Sequence, residues 1–276
     1  MSDLSHLGWD DGFADAYRAF DRADADPGRV LRVERGVCTV LGAAGVGRAS
    51  VGGPVLIAAA ADPARLPCPG DWVVLRRWPD RRTTIEYVLP RRAVLVGHDT
   101  TGLGGAPVAG EVLAANMDTV AVVEPMVPGL DDAVLARLLA WAGESGARPV
   151  VVLSKSDAAV DADAVVRHVA AVVAGVPVLP VSAHRGDGVA ELRGLVGPGR
   201  SLALLGRPGA GKSALVDALA GASVMPVRES RKGRSPAADR RLVPVPGGGA
   251  VLDTPGIRGL GLRDAADAGG RHRTRP

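Results

Sequence analysis

Residues 201–213 read SLALLGRPGAGKS, an apolar run that is followed by a glycine-rich loop. The apolar run at residues 202–205 predicts a short buried strand, and residues 214–220 predict the helix that follows it. Between them lies the pattern G-x-x-x-x-G-K-S, whose glycines leave backbone N–H groups free to surround phosphate oxygens. A glycine-rich turn in a chain with 37 glycines is the simpler alternative, but it does not explain the whole pattern between a strand and a helix. We therefore predict a site for a nucleoside triphosphate.

Two side chains of this loop are expected to contact the charged groups of the nucleotide. Lys212 would reach the β- and γ-phosphates, and the Ser213 hydroxyl would coordinate Mg²⁺, which is the expected cofactor. The positive end of the following helix faces the same phosphates. The predicted nucleotide-binding residues of the loop are Gly206, Arg207, Pro208, Gly209, Ala210, Gly211, Lys212, Ser213 and Ala214.

The composition suits a soluble globular chain of one large or two modest domains. Of the 276 residues, 47% are hydrophobic and 23% are charged, and the net charge of +3 permits a nucleic-acid partner without requiring one. Cys38 and Cys68 have no C-x-x-C partner, so we expect two buried thiols in a reducing compartment rather than a zinc site or a disulfide framework. The sequence shows no signal-peptide pattern and no apolar run of membrane-spanning length. We therefore predict a cytoplasmic protein with no membrane partner.

The first 97 residues predict a small barrel that follows an amphipathic segment. Residues 1–27 carry Phe13, Tyr17 and Phe20 at helical spacing, which indicates a helix that docks on its neighbour. Residues 28–97 contain short β-type runs between turns, a pattern typical of the OB-fold, a closed barrel that binds nucleic acid on an exposed face. The expected strands cover residues 29–34, 37–41, 53–59, 71–76 and 83–88.

Aromatic and basic residues of the predicted barrel are candidate RNA contacts. Aromatic rings can stack on bases, and arginines can pair with phosphates. The alternative is that the arginines are solvated loop charges and the tryptophans belong to the core, and residue types alone do not separate the two. The basic segment at residues 228–241 is a further candidate. The predicted RNA-binding residues of the barrel are Trp72, Arg76, Arg77, Arg91 and Arg92.

Residues 112–263 predict a second domain, which is of the α/β class. A polar, glycine-rich linker at residues 98–112 precedes it, and residues 264–276 are expected to form a disordered basic tail. Apolar strands alternating with helices indicate a doubly wound, mostly parallel sheet. Strands are expected at residues 118–123, 149–153, 176–181 and 202–205, helices at 131–142, 161–173, 188–195 and 214–220, and a hairpin at 242–245 and 250–252.

Two short motifs at predicted strand ends indicate recognition of guanine. Residues 154–157 read SKSD and resemble N-K-x-D, in which the carboxylate accepts hydrogen bonds from the N1 and N2 edge of guanine. Residues 181–183 read VSA and resemble the S-A motif, whose backbone N–H reaches guanine O6. Each motif is weak alone, but their order and their spacing by whole βα units favour a guanine nucleotide. The predicted base-binding residues are Ser154, Lys155, Ser156, Asp157, Ser182 and Ala183.

The sequence DTPG at residues 253–256 is expected to hold magnesium and sense the γ-phosphate. Asp253 would hold the metal directly or through water, together with Ser213, and the Gly256 N–H would face the γ-phosphate. The predicted catalytic residues are Lys212, Asp253 and Gly256. Because the base motifs precede the phosphate loop, the sequence predicts a P-loop GTPase with a circularly permuted order of motifs, preceded by an all-β OB-fold barrel.

The barrel and the motif order together resemble the RsgA family, the ribosome-small-subunit-dependent GTPases of bacteria. The resemblance extends from about residue 5 to 262. It implies a factor in late 30S maturation that contacts 16S rRNA and hydrolyses GTP, with GTP or GDP and the 30S subunit as partners, and we expect a monomer. Besides the phosphate loop, the matching stretches are LGWD at 7–10, GRV at 28–30, GDWVV at 70–74, VLPR at 88–91, AANMD at 114–118 and DTPGIR at 253–258.

This sequence departs from the family pattern at three places. Ser154 stands where the family has Asn, and because Ser is shorter we expect weaker guanine affinity. Residues 233–238 read GRSPAA where the family reads G-R-H-T-T-T, so the magnesium-binding Thr and the His are missing. The family's C-terminal zinc-binding domain has no counterpart before Pro276, so no zinc is predicted.

These departures leave a choice between two functions. The leading hypothesis is a GTPase that acts in 30S assembly. The alternative, favoured by Ala237 and Ala238, is a GTP-binding RNA-interaction module with little or no intrinsic hydrolysis. A P-loop ATPase is a third possibility, which Asp157 argues against because adenine lacks the donors that this carboxylate would accept.

Overall fold

The computed structural model describes residues 4–21, 23–34, 36–97, 110–221 and 240–254. The predicted tail at residues 264–276, Gly256, and residues 233–238 therefore lie outside the described residues, as do most of the linker and most of the basic segment at residues 228–241. None of the helices in the described ranges is long and apolar enough to cross a membrane.

The described residues up to position 97 form a closed barrel of five strands. The strands pair in the order β1-β2-β3-β5-β4, and β4 also pairs with β1, which closes the barrel. Inward side chains such as Val30, Val40, Val73 and Ile85 are buried in its core. The strands are β1 (Ala25–Glu34), β2 (Val37–Gly42), β3 (Gly45–Val51), β4 (Trp72–Arg77) and β5 (Thr83–Val88).

Two parts of the barrel differ from the sequence-based prediction. The predicted strand at residues 53–59 is wrong, because Gly53–Ala61 forms the helix α2, with Pro54 in its first turn and an alanine run at its end. The strand β3 was not among the expected strands. Most of its side chains are exposed, so it lacks the buried, alternating pattern that reveals a strand.

The N-terminal segment docks on the barrel, as predicted. Its helix α1 (Asp11–Tyr17) begins at Asp10, whose carboxylate accepts a 3.1 Å hydrogen bond from the Phe13 backbone N–H. Phe13 and Tyr17 are buried in a cluster that includes Trp72 and Leu89. This cluster explains why Trp72 is part of the core.

Residues 112–254 contain the α/β domain, whose alternation of strands and helices is confirmed. The sheet order is β10-β9-β8-β11-β13-β12, with parallel pairing except for the antiparallel β12–β13 hairpin. The strands are β8 (Thr119–Pro125), β9 (Arg148–Ser154), β10 (Val178–Val181), β11 (Ser201–Leu205), β12 (Arg241–Pro244) and β13 (Ala250–Asp253). The helices are α3 (Asp132–Glu144), α4 (Ala162–Val172), α5 (Val189–Gly194) and α6 (Lys212–Ala220). A separate two-stranded sheet pairs β6 (Val94–Val96), which precedes the domain, with β7 (Val112–Ala115) at its start.

Arg29 on β1 joins the barrel to the α/β domain. Its guanidinium is 1% exposed and donates hydrogen bonds to the Gly70 carbonyl at 3.4 Å, the Asn116 carbonyl at 3.1 Å and the Ser201 hydroxyl at 2.8 Å, as well as to the Leu7 carbonyl. Burial lowers the pKa of Arg29 to about 10, opposed by nearby carboxylates, so the side chain is charged at neutral pH. One charged side chain therefore bonds to the N-terminal segment, the barrel, the connecting segment and the strand that leads into the phosphate loop.

Candidate nucleotide-binding site

The phosphate loop leaves β11 and enters α6 with the backbone geometry that its glycines allow. Gly209 and Gly211 have φ angles of 80° and 94°, in the left-handed region. A Cβ atom on Gly206 would lie 2.4 Å from the Val123 carbonyl oxygen, so only glycine fits this close approach to β8. The predicted strand–loop–helix unit is confirmed.

Lys212 turns its ammonium group into the loop. Its Nζ donates hydrogen bonds to the Gly206 carbonyl at 2.8 Å and to the Arg207 carbonyl at 3.1 Å. Burial lowers the pKa of Lys212 to about 8, while Asp253 and Glu124 oppose this shift. The loop therefore contains a partly desolvated cation that an anionic phosphate would stabilise in its protonated form.

Ser154 connects the first base motif to the phosphate loop. It is 3% exposed, and its Oγ donates a 2.5 Å hydrogen bond to the Ala210 carbonyl. The two segments pack closely, since a Cβ atom on Gly211 would lie 3.3 Å from Ser154 Oγ. The short side chain therefore braces the loop directly, and its effect on guanine affinity stays a prediction.

Asp157 and Ser182 bring the two base motifs together. The residue before this turn, Lys155, has a φ of 57°, and the chain then forms a 3₁₀ turn at Ser156–Ala158. A hydrogen bond from the Ser182 side chain lowers the pKa of Asp157, so its carboxylate is ionised at neutral pH. The Ser182 hydroxyl also accepts a 3.0 Å hydrogen bond from the Arg185 N–H. The carboxylate is thus charged and oriented, with Ala183 next to its partner.

Asp253 lies at the end of β13, where it pairs in register with Leu204 on β11. Leu204 is two residues before Gly206, so this carboxylate lies beside the start of the phosphate loop. The side chain of Ser213, in the first turn of α6, is exposed. A hydroxyl and a carboxylate oxygen are ligands that Mg²⁺ accepts, so this donor set fits the expected metal. Asp253 also lies 4.0 Å from the guanidinium of Arg241, across the hairpin.

Glu124 is a residue of this site to which the sequence-based prediction gave no role. It ends the apolar run of β8 and is fully buried, and its Oε2 accepts a 2.8 Å hydrogen bond from Arg207 Nη2. Its Oε1 has no hydrogen-bond partner among the described residues. Burial raises the pKa of Glu124, while Arg207 opposes this shift. The sequence feature that could have indicated this residue is a single acidic side chain in the mostly apolar strand sequence TVAVVEP.

The structure argues against two of the predicted RNA contacts, Trp72 and Arg91. Trp72 is fully buried, so its ring cannot stack on a base, and the prediction is wrong for this residue. Arg91 binds the buried Asp71 through Nε at 2.7 Å and Nη2 at 2.8 Å, which makes it a structural residue of the barrel. Arg92 is half-exposed and pairs with Asp10 at 2.5 Å, and its contact with RNA stays a prediction.

Arg76 and Arg77 lie near the surface at the end of β4. They pair with Asp24 at 2.9 Å and with Asp26 at 2.8 Å, respectively, and 41% and 58% of their side chains are exposed. The Arg76 guanidinium also lies 4.1 Å from the ring centroid of Trp78. Because exposed ion pairs are weak, these contacts do not exclude an RNA contact, which stays a prediction for both arginines.

A comparison with protein families finds that the RsgA GTPase model matches residues 88–263. Three curated relatives carry the name small ribosomal subunit biogenesis GTPase RsgA. The protein of Streptomyces coelicolor is 42% identical over 96% of this chain and 72% of its own length. Those of Streptomyces avermitilis and Opitutus terrae are 40% and 39% identical, over 95% and 94% of this chain and 70% and 73% of their own lengths.

Solved structures show the same architecture. YjeQ from Thermotoga maritima has a TM-score of 0.61 at 23% identity, over 84% of this chain and 75% of its own. YloQ, described as a circularly permuted GTPase, has a TM-score of 0.57 at 18% identity, over 89% and 75% of the two chains. The predicted fold, a barrel followed by a permuted α/β domain, is confirmed.

Proposed function

Because the chain belongs to the RsgA GTPase family, we propose that it binds and hydrolyses GTP and acts in the biogenesis of the small ribosomal subunit. The relatives that match most of this chain carry that function in their names. Support from the site itself comes from the Ser154–Ala210 hydrogen bond, which joins a base motif to the phosphate loop. This hydrogen bond is the main structural support for the proposal. It joins the base motif and the phosphate loop, which are 56 residues apart in the sequence, in a single site.

The residues of this site divide into base, phosphate and metal contacts. The ionised Asp157 accepts hydrogen bonds from the N1 and N2 edge of guanine, and the Lys155 stem packs over the base. The loop N–H groups and Lys212 bind the phosphates. Ser213 and Asp253 would hold Mg²⁺, which neutralises charge on the phosphate oxygens. Catalysis then depends on positioning and charge stabilisation rather than on a covalent step.

The proposed partners are GTP or GDP, the small ribosomal subunit and its 16S rRNA. The half-exposed arginines Arg76 and Arg77 support RNA contact by the barrel, because phosphate groups can replace their aspartate partners. The ribosomes of bacteria, from which the relatives above come, lie in the cytoplasm. We propose that it acts there as a monomer, without a membrane partner.

Co-sedimentation with purified small ribosomal subunits tests this function. We expect the protein to sediment with the subunit in the presence of a non-hydrolysable GTP analogue, and less with GDP. The matching ATP analogue should behave like buffer alone, and Lys212→Ala should reduce the effect of the GTP analogue. Sedimentation that is the same with every nucleotide and with none would contradict the proposal.

A further inference from the structure

Glu124 is a buried carboxylate that is held at the phosphate loop by one partner. It lies at the end of β8, next to the strand that carries the loop, and it is fully buried. Arg207, the second residue of the loop, donates to Oε2 at 2.8 Å, and Oε1 has no partner among the described residues. A buried carboxylate with one ionic partner depends strongly on that partner, because removing it leaves a charge without compensation.

Charged groups on three segments face this carboxylate. Arg207 and Lys212 favour its ionised form, while Asp131, at the start of α3, disfavours it. The backbone carbonyl of Arg207 accepts a 3.1 Å hydrogen bond from Lys212 Nζ, so the pair touches the residue expected to bind phosphate. Glu124 in turn influences the charge of Lys212. The carboxylate is therefore close enough to the phosphate-binding groups to repel a bound nucleotide if its charge is not cancelled.

We propose that Glu124 and Arg207 act as one electrostatic unit in nucleotide binding. Glu124 is a positioning residue that fixes the Arg207 guanidinium against β8. Arg207 in return cancels a negative charge that would otherwise repel the phosphates. This inference rests on the proposed function, since it requires a nucleotide in the loop.

The pair predicts that removing Arg207 adds a pH dependence of GDP affinity that comes from Glu124. Burial raises the pKa of Glu124, and Arg207 opposes the shift. In Arg207→Ala the carboxyl group loses this opposition, so its pKa rises further and a larger fraction of it is protonated as the pH falls. The nucleotide then meets a neutral group at low pH and an anion at high pH. Affinity for GDP should therefore fall as the pH rises.

A double-mutant cycle on GDP affinity tests the proposal. Fluorescent GDP is titrated into the wild-type protein, Arg207→Ala, Glu124→Gln and the double variant, at about pH 6 and about pH 8. We expect Arg207→Ala to lose about tenfold in affinity at the higher pH and about twofold to threefold at the lower pH. The double variant should recover most of the loss at the higher pH and bind GDP about as well as Glu124→Gln alone. Because Glu124 raises the pKa of Lys212, the effect of Arg207→Ala is compared within each Glu124 background, where Lys212 has the same neighbour.

The controls separate this inference from folding and from the proposed function. Thermal melting of each variant reports folding, and Arg167→Ala, an exposed arginine on α4, should leave GDP affinity unchanged. If the loss in Arg207→Ala is the same in the Glu124→Gln background and at both pH values, the two residues act independently and the inference is overturned. If the wild-type protein binds no GDP, the proposed function fails instead.

Discussion

Ser154 Oγ donates a 2.5 Å hydrogen bond to the Ala210 carbonyl and thereby joins the guanine motif to the phosphate loop. The family has Asn at this position, and the shorter Ser was expected to be only a partial substitute. The hydroxyl reaches the loop because the two segments pack closely, with Gly211 lacking the Cβ atom that would approach it. The segment expected to contact the base is thus joined directly to the segment expected to bind phosphate.

Replacing Ser154 with Ala should weaken nucleotide binding. A lost buried hydrogen bond costs about 1 kcal/mol, which corresponds to about a fivefold loss of GDP affinity. Ser145→Ala is the matched control, because Ser145 Oγ donates a similar 2.6 Å hydrogen bond to the Ala142 carbonyl, far from the loop. Isothermal titration should show weaker GDP binding for Ser154→Ala alone. Equal GDP affinity in both variants would show that the hydrogen bond from Ser154 to Ala210 does not contribute to nucleotide binding.

Asp157→Asn should change the base preference from guanine to xanthine. The carboxylate accepts from the N1 and N2 donors of guanine, whereas the amide of Asn can donate to the O2 atom of xanthine. We expect GDP affinity to fall by about a hundredfold and xanthosine diphosphate affinity to rise. Competition between the two nucleotides measures the change. A variant that still prefers GDP would mean that Asp157 does not contact the base.

Nucleotide binding should be accompanied by proton uptake at Lys212. Burial lowers the pKa of Lys212 to about 8, so a growing fraction of the side chain is neutral as the pH rises through this value. Bound phosphate favours the protonated form and raises the pKa again. Affinity should therefore fall above about pH 8, where calorimetry in buffers of different ionisation enthalpy should detect proton uptake. Uptake that persists in Lys212→Met would assign the proton to another group.

Arg29→Met should destabilise the protein more than any change at an exposed arginine. The substitution leaves buried acceptors, including the Ser201 hydroxyl and the Asn116 carbonyl, without their donor. We expect a loss of about 2–4 kcal/mol in the free energy of unfolding, measured by urea denaturation. Arg48→Met, at an exposed position on β3, should change it by less than about 0.5 kcal/mol. Equal effects of the two substitutions would contradict the role of Arg29.

Local patterns in the sequence predicted most of the α/β domain and the site. The buried strands β8, β9 and β11 read as apolar runs, and the phosphate loop and the base motifs follow such runs directly. The elements of the barrel were harder to predict from the sequence. Most side chains of β3 are exposed to solvent, and α2 has no polar face that would indicate a helical period. Short strands with exposed side chains carry little periodic signal.

Side-chain roles that depend on tertiary contacts were not predictable in the same way. Whether Trp72 faces a base or the core depends on the N-terminal segment that covers it. The role of Glu124 depends on Arg207, which lies 83 residues further along the chain. Arg29 likewise contacts Ser201 across 172 residues, and no spacing within the sequence reveals such a pair.

Phosphate release from GTP, measured with and without purified small ribosomal subunits, tests the proposed GTPase function. We expect slow release by the protein alone, strong stimulation by the subunit, and loss of the stimulated activity in Lys212→Ala. Tight GTP binding with no stimulation by subunits would contradict it. That result would favour the alternative, a GTP-binding module that contacts RNA with little hydrolysis.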